Sequence, residues 1–132
     1  MPRLSQQQQN TAPADLRILF WNARSIRKRK EELEIIIKSL DILICVESWL
    51  NRKSAVSFPG FNCFRKDTPD GSAYGGIVIY LRKNLEFKKN NIQFSRNIEE
   101  EVEFCAINIL NTYIPFTIIA FYQPGITLSQ NT

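Results

Sequence analysis

Two residues of this chain, Asn22 and Glu47, stand directly after apolar runs of strand length, and they offer an amide oxygen and a carboxylate. Hard oxygen donors of this kind suit Mg²⁺, which takes one or two carboxylates and keeps waters and substrate phosphate for its remaining positions. Each also has a plainer reading, Asn22 as a turn former and Glu47 as the solvated end of a strand. Tyr122, ahead of Gln123, Pro124 and Gly125, offers either a hydroxyl to a phosphate or a packed ring before a turn. Arg24, Arg27, Lys28, Arg29 and Lys30 crowd the start of a helical pattern, where positive charge opposes the helix dipole by roughly a few tenths of a kcal/mol per residue. They either grip a phosphate together with the helix N–H groups or form a solvated basic face, softened by Glu31, Glu32 and Glu34.

What is missing narrows the chemistry further. The chain has no histidine, so it lacks the side chain that most easily moves a proton near neutral pH, and a Ser-His-Asp or Cys-His site is excluded within it. Hydrolysis would rest on metal-bound water assisted by carboxylates, lysines or tyrosine. Gly75 and Gly76 precede a strand, whereas a phosphate-binding loop follows a strand and opens a helix, so they read as a tight turn. Cys45, Cys63 and Cys105 are odd in number, widely spaced and outside any CxxC pair, which favours a reduced, intracellular protein. Cys45 lies in an apolar run and reads as a small core residue.

The elements that would position these groups follow from patterning. Residues 16–21, LRILFW, form a first strand closed by Asn22. From Ser25 the apolar positions Ile26, Leu33, Ile36, Ile37 and Leu40 recur at helical spacing, predicting a helix that ends near Leu40. Residues 42–46, ILICV, are continuously apolar and β-branched, as in a strand covered on both faces. Strand, helix and strand make a right-handed βαβ unit with parallel strands, so Asn22 and Glu47 should share the carboxyl edge of one sheet, where α/β ligand sites form. Beyond Pro59 and Gly60 the pattern predicts five shorter strands, over 61–65, 76–82, 86–94, 101–110 and 116–122, with loops at 68–71 and around Lys83 and Asn84. A mixed sheet is expected, and no internal repeat is visible.

Length and composition bound the rest. A chain of 132 residues and 15.3 kDa, 44% hydrophobic and 23% charged, fits one domain and leaves no room for two. The net charge of +4, with a pI near 9.1, leans toward polyanionic partners. No stretch approaches the roughly 20 apolar residues of a membrane span, and the N-terminus has no apolar signal core. Residues 1–15, with the polar run 5–10, are expected to be a disordered lead-in, residues 16–125 the folded domain, and residues 126–132 a truncated tail.

The ordered set LFWNARSI, DILICVESWL, GF followed by FRKD, YGGIVIYL and IIAFYQPG resembles the endonuclease/exonuclease/phosphatase superfamily. WNARSI together with ESWL points to the branch carried by jockey-type and related non-LTR retrotransposons. The resemblance covers residues 16–125, in order. It implies an α/β (α+β) fold, the N-terminal part of a four-layer α/β/β/α sandwich with mixed sheets. It also implies Asn22 and Glu47 as metal-site residues for Mg²⁺ (or Mn²⁺) and Tyr122 as a catalytic, phosphate-contacting residue. Gly125 stands where the repair-type relatives carry an asparagine. The family's later motifs, an Asp/Asn pair and a Ser-Asp-His segment, are expected beyond Gly125.

On this reading the parent protein nicks target DNA in the nucleus and presents the new 3′ end to a linked reverse transcriptase. Arg24, Arg27 and Lys28 would contact the DNA backbone, no membrane would be involved, and the isolated chain would be inactive. The rival readings are a phosphatase of the same superfamily and a degenerate element copy without catalysis.

Overall fold

The computed structural model describes residues 15–51, 53–68 and 75–123. Except for Asp15, the expected lead-in lies outside the described residues, as do Gly125 and the expected tail over 126–132. Strand β1 (Ile18–Asn22) is followed by a short 3-10 turn (Arg27–Arg29), helix α1 (Lys30–Ile37) and strand β2 (Ile42–Val46). Next come β3 (Phe61–Lys66), β4 (Ile77–Arg82), β5 (Phe87–Lys89), helix α2 (Arg96–Glu101), β6 (Glu103–Ile109) and β7 (Phe116–Tyr122).

Among the described residues the strands form two sheets, a four-stranded one in the order β1-β2-β4-β3 and a three-stranded one in the order β5-β6-β7. The first is mixed: β1 and β2 run parallel, while β4 runs antiparallel to both β2 and β3. The second is antiparallel throughout. The expected α/β architecture with mixed and paired sheets is therefore present, and α1 with the two sheets supplies three of its layers.

Strand β2 explains how the layers meet. All five of its residues are buried, because alternate side chains enter different cores. Leu43 and Cys45 join Leu33 and Ile37 of α1, Ala23, Ile26, Phe58, Val78 and Tyr80. Ile42, Ile44 and Val46 point the other way, into a core with Ile77, Ile79 and Leu81 of β4 and Cys105, Ile107, Ile109 and Ala120 of the second sheet. Each fully buried aliphatic chain contributes about 1.5–3 kcal/mol relative to exposure, so the continuously apolar run is what the double burial demands. The hydroxyl of Tyr80, the largest fully buried side chain, donates to the Val56 carbonyl at 2.7 Å and meets Phe58 edge-on.

Two sequence expectations are corrected, and one element is found that the sequence pattern did not mark. The helix does not run from Ser25 to Leu40: Arg24 and Ser25 adopt left-handed backbone (φ 46° and 85°), a 3-10 turn intervenes, and α1 has eight residues. The strand expected over 86–94 is only three residues long, because the chain leaves the sheet at Asn90, whose side-chain amide donates to Asn108 Oδ1 at 2.9 Å. The region before β6 forms α2, which is polar except for Ile98 and so shows no apolar stripe.

Candidate metal and phosphate site

Parallel pairing carries β1 and β2 to a common end, with Asn22 opposite Val46 and Glu47 one residue further. Because β4 is antiparallel to β2, its first residue Ile77 lies at this same end, together with Gly75 and Gly76 before it and Lys66 at the close of β3. Asn22 is exposed and Glu47 half-buried, and the Asn22 side-chain amide donates a hydrogen bond to Glu47 Oε2. That bond leaves Asn22 Oδ1 and the second carboxylate oxygen as the acceptors of the pair. The two expected metal-site residues are thus brought together.

The backbone here is unusual. Among the described residues four non-glycine residues have positive φ, namely Arg24, Ser25, Glu47 and Trp49, and all four lie in the two loops that leave β1 and β2. Such conformations cost about 1–3 kcal/mol each and persist only where surrounding structure over-determines them. Here the surroundings are hydrogen bonds on both sides of the Glu47 turn. On one side the N–H groups of Ala23, Ser25 and Ile26 donate to the carbonyls of Val46, Glu47 and Ser48, each at 3.0 Å. On the other, the N–H groups of Ser48 and Trp49 donate to Gly76 and Gly75 at 3.1 and 2.9 Å. Ala23, Ser25, Ile26 and Ser48 are all buried, which fixes the loop that presents Asn22.

The basic residues divide into two groups. Arg29 and Lys30 sit 3.5 and 3.9 Å from Glu32 and Glu34, one turn further along the helix. Arg24, Arg27 and Lys28 are exposed and make no ion pair among the described residues. The Lys28 ammonium lies 5.8 Å from the centre of the Trp49 ring, so this cationic stretch borders the Glu47 turn. Lys66 joins the same end of the sheet, donating to the Phe104 carbonyl at 3.0 Å.

Tyr122 closes β7 on the second sheet, opposite Glu103, and is half-buried against the core between the sheets. Sequence reading missed Glu103. Its Oε2 accepts from the Thr68 hydroxyl at 2.9 Å and its Oε1 from the Gly76 N–H at 3.1 Å. It therefore ties the second sheet to the turn beside Glu47, through partners far away in sequence that leave no local signal.

The donor set fits a hard divalent cation of modest protein coordination, since one carboxylate and one amide oxygen are enough when water and phosphate complete the shell. Among the described residues no cluster of three or more His, Cys, Asp or Glu side chains forms a closed protein cage. The thiols do not enter this chemistry: burial pushes Cys45 up to about 12 and Cys105 up to about 11.

No protein-family model matches the chain. Over 108 residues it is 22% identical to the RNA-directed DNA polymerase from mobile element jockey of Drosophila melanogaster, a match covering 76% of this chain and 12% of that protein. A probable RNA-directed DNA polymerase from transposon BS of the same organism is 27% identical over 88 residues, covering 64% of this chain and 10% of the relative. The chain thus spans about a tenth of the curated relatives it matches. Among solved structures, the Xenopus laevis APE2 catalytic domain aligns over 86% of this chain and 46% of its own, with a TM-score of 0.61 and 18% identity. The Neisseria 3′ phosphatase NExo, solved with a product DNA hairpin, aligns over 78% of this chain and 40% of its own, with a TM-score of 0.50 and 18% identity.

Proposed function

From a chain with the endonuclease/exonuclease/phosphatase fold whose sequence relatives are mobile-element polymerases, we propose that it forms the metal-holding part of a DNA endonuclease domain. That domain nicks target DNA with Mg²⁺ or Mn²⁺, and a linked reverse transcriptase primes from the 3′ end so produced. The observation that carries this reading is the Asn22–Glu47 pair, hydrogen-bonded at the carboxyl end of adjoining parallel strands.

Glu47 would hold the cation through its carboxylate, and Asn22 would orient that carboxylate while offering its own amide oxygen. When bound, the ion polarises a phosphate oxygen and stabilises charge that develops there. Tyr122 would contact the scissile phosphate from the second sheet. Arg24, Arg27 and Lys28 would neutralise backbone phosphates and fix the duplex in register without reading its sequence. The chain contributes no imidazole, so any histidine-dependent charge stabilisation would be supplied from outside these residues. Nicking is accordingly expected from a longer product of the same reading frame and not from these residues alone, and it would take place in the nucleus.

A second reading has one specific support, because NExo is described as a 3′ phosphatase. Both are tested by incubating supercoiled plasmid, and separately a DNA hairpin bearing a 3′ phosphate, with this chain and with a version extended through any downstream reading frame. Mg²⁺-dependent nicking by the extended protein, lost in its Glu47→Gln variant, is the expected result. Phosphate release without nicking would support the phosphatase, and inactivity of both versions on both substrates would mark a catalytically dead element copy. Undiminished nicking by Glu47→Gln would overturn the metal assignment.

A further inference from the structure

We propose that Glu103 is a positioning residue, which holds the Glu47 turn in its left-handed conformation through the Gly75-Gly76 backbone. This inference rests on the metal-site reading of Glu47 for its consequence but not for its geometry.

The turn is costly. Glu47 and Trp49 have φ of 52° and 55°, with neither a glycine nor an asparagine to relieve it. A conformation of this kind needs partners that are themselves fixed. The Ser48 and Trp49 N–H groups find theirs in the carbonyls of Gly76 and Gly75. Those glycines are in turn left-handed, with φ of 91° and 92°, and a side chain on either would collide with its surroundings. A Cβ at Gly76 would lie 2.5 Å from Ser48 Oγ, and one at Gly75 would lie 2.6 Å from Thr68 Oγ1 and 3.0 Å from Glu103 Oε1.

Glu103 is the anchor of this assembly. Its carboxylate accepts the Gly76 N–H at 3.1 Å and the Thr68 hydroxyl at 2.9 Å, so one side chain secures both the exit from β3 and the entry to β4. Its own backbone is locked in β6, directly opposite Tyr122. The chain of contacts runs from the second sheet through Glu103 and Gly76 to Ser48, whose neighbour is Glu47. A charge-assisted bond from a carboxylate to a backbone N–H is stronger than a neutral one, and an alternative acceptor of the same shape can partly replace it. The arrangement joins the strand bearing Tyr122 to the turn bearing Glu47, the two sides from which a phosphate would be held.

Two readouts on this chain test the role. The first is amide hydrogen exchange by NMR. Glu103→Ala, or the nearly isosteric Glu103→Met should the alanine variant not fold, is expected to lower protection of Gly76, Ser48 and Trp49 by about tenfold or more. Protection of Ile79 in the core of β4 should stay unchanged. Glu103→Gln, which retains an acceptor oxygen for the Gly76 N–H, should restore most of the protection. The second readout is Tb³⁺ luminescence sensitised by the indoles of Trp21, next to Asn22 in sequence, and Trp49, two residues after Glu47. Apparent Tb³⁺ affinity should fall about tenfold in Glu103→Ala or Glu103→Met, as for residues that orient a metal ligand, and recover in Glu103→Gln. Unchanged protection in the alanine and methionine variants would overturn the proposal. So would failure of glutamine to rescue either readout, which would assign Glu103 a role through its charge. If Tb³⁺ binding is absent, or indifferent to Glu47→Gln, the metal-site reading fails while hydrogen exchange still decides the role of Glu103.

Discussion

The amide of Asn22 donates to the carboxylate of Glu47, linking the ends of two neighbouring parallel strands. The direction of this hydrogen bond matters. An amide N–H aimed at one carboxylate oxygen holds the carboxylate in plane and leaves its other oxygen, with the Asn22 carbonyl oxygen, available to a cation. Aspartate at position 22 would replace the donor with a second negative charge and lose the bond.

Metal binding should follow that geometry. Glu47→Gln removes the only carboxylate of the pair and is expected to abolish saturable Mn²⁺ binding, measured by the loss of free-ion electron paramagnetic resonance signal. Asn22→Ala keeps the carboxylate but frees its orientation, and is expected to weaken binding by about 10- to 100-fold, the usual consequence of removing a ligand's supporting hydrogen bond. Equal binding by Glu47→Gln and the parent chain would place the ion elsewhere.

Binding to DNA should depend on the unpaired cations and not on the paired ones. Arg24, Arg27 and Lys28 are exposed without a carboxylate partner among the described residues, whereas Arg29 and Lys30 lie beside Glu32 and Glu34. Replacing Arg27 or Lys28 with alanine is expected to weaken duplex binding uniformly across sequences and to reduce the salt slope of log K by about 1 for each phosphate that the variant no longer neutralises. Replacing Lys30 should leave the slope nearly unchanged. Fluorescence anisotropy across a salt series separates the two groups, and a slope insensitive to Arg27 and Lys28 alike would remove this stretch from the interface.

Much of this arrangement was legible in the sequence, and the parts that were not share a cause. The continuous run of residues 42–46 announced a strand buried on both faces, and two cores do flank it. Parallel pairing then required Asn22 and Glu47 to share an edge, as they do. Helix α2 escaped notice because five of its six residues, Arg96, Asn97, Glu99, Glu100 and Glu101, are polar, so no periodic stripe marks it. The left-handed turn at Glu47 also gave no signal, since its conformation is held by N–H groups donated from residues 23–26 and by carbonyls accepting at residues 75–76, and not by a local glycine. Glu103 looked like an ordinary polar strand residue, and only the meeting of two sheets gives it a task. Local pattern therefore revealed the elements and their edges, while contacts distant in sequence decided the details of the site.

The cysteines make a prediction about pH. Cys45 and Cys105 are buried, and desolvation raises them from the ordinary 9.0 to about 12 and about 11, with Cys63 adding to the effect on Cys45 and Lys66 opposing it on Cys105. Tyr80, buried with its hydroxyl on a carbonyl, is raised in the same way by desolvation. The folded chain thus holds protons that the unfolded chain releases first. Stability should be insensitive to these groups below about pH 9 and fall as pH rises from 9 toward 12, the sign required when the native state binds more protons. Denaturant midpoints measured between pH 8 and pH 11 would check this, and a rising midpoint would contradict it. At neutral pH a thiol reagent should label exposed Cys63 first and reach Cys45 and Cys105 only on unfolding.

The uncovered face of β1 leads to a prediction about association. Ile18 and Phe20 pair with Ile42 and Ile44 and so point to the same side of the sheet, toward the core between the sheets. Ile42 is fully buried there, yet Ile18 is 45% exposed and Phe20 53% exposed, in keeping with the place of β1 at the edge of its sheet among the described residues. An apolar edge with unpaired backbone groups is a template for intermolecular pairing, and a lysine on such an edge discourages it. Phe20→Lys is therefore expected to shift the chain toward the monomer in light scattering at micromolar concentration. Little packing is removed at a half-exposed position, so its thermal midpoint should change by only a few degrees. A large loss of stability would mean that Phe20 is covered in solution, and unchanged association would move the sticky surface to another edge, with β7 and its exposed Ile119 and Phe121 the next to substitute.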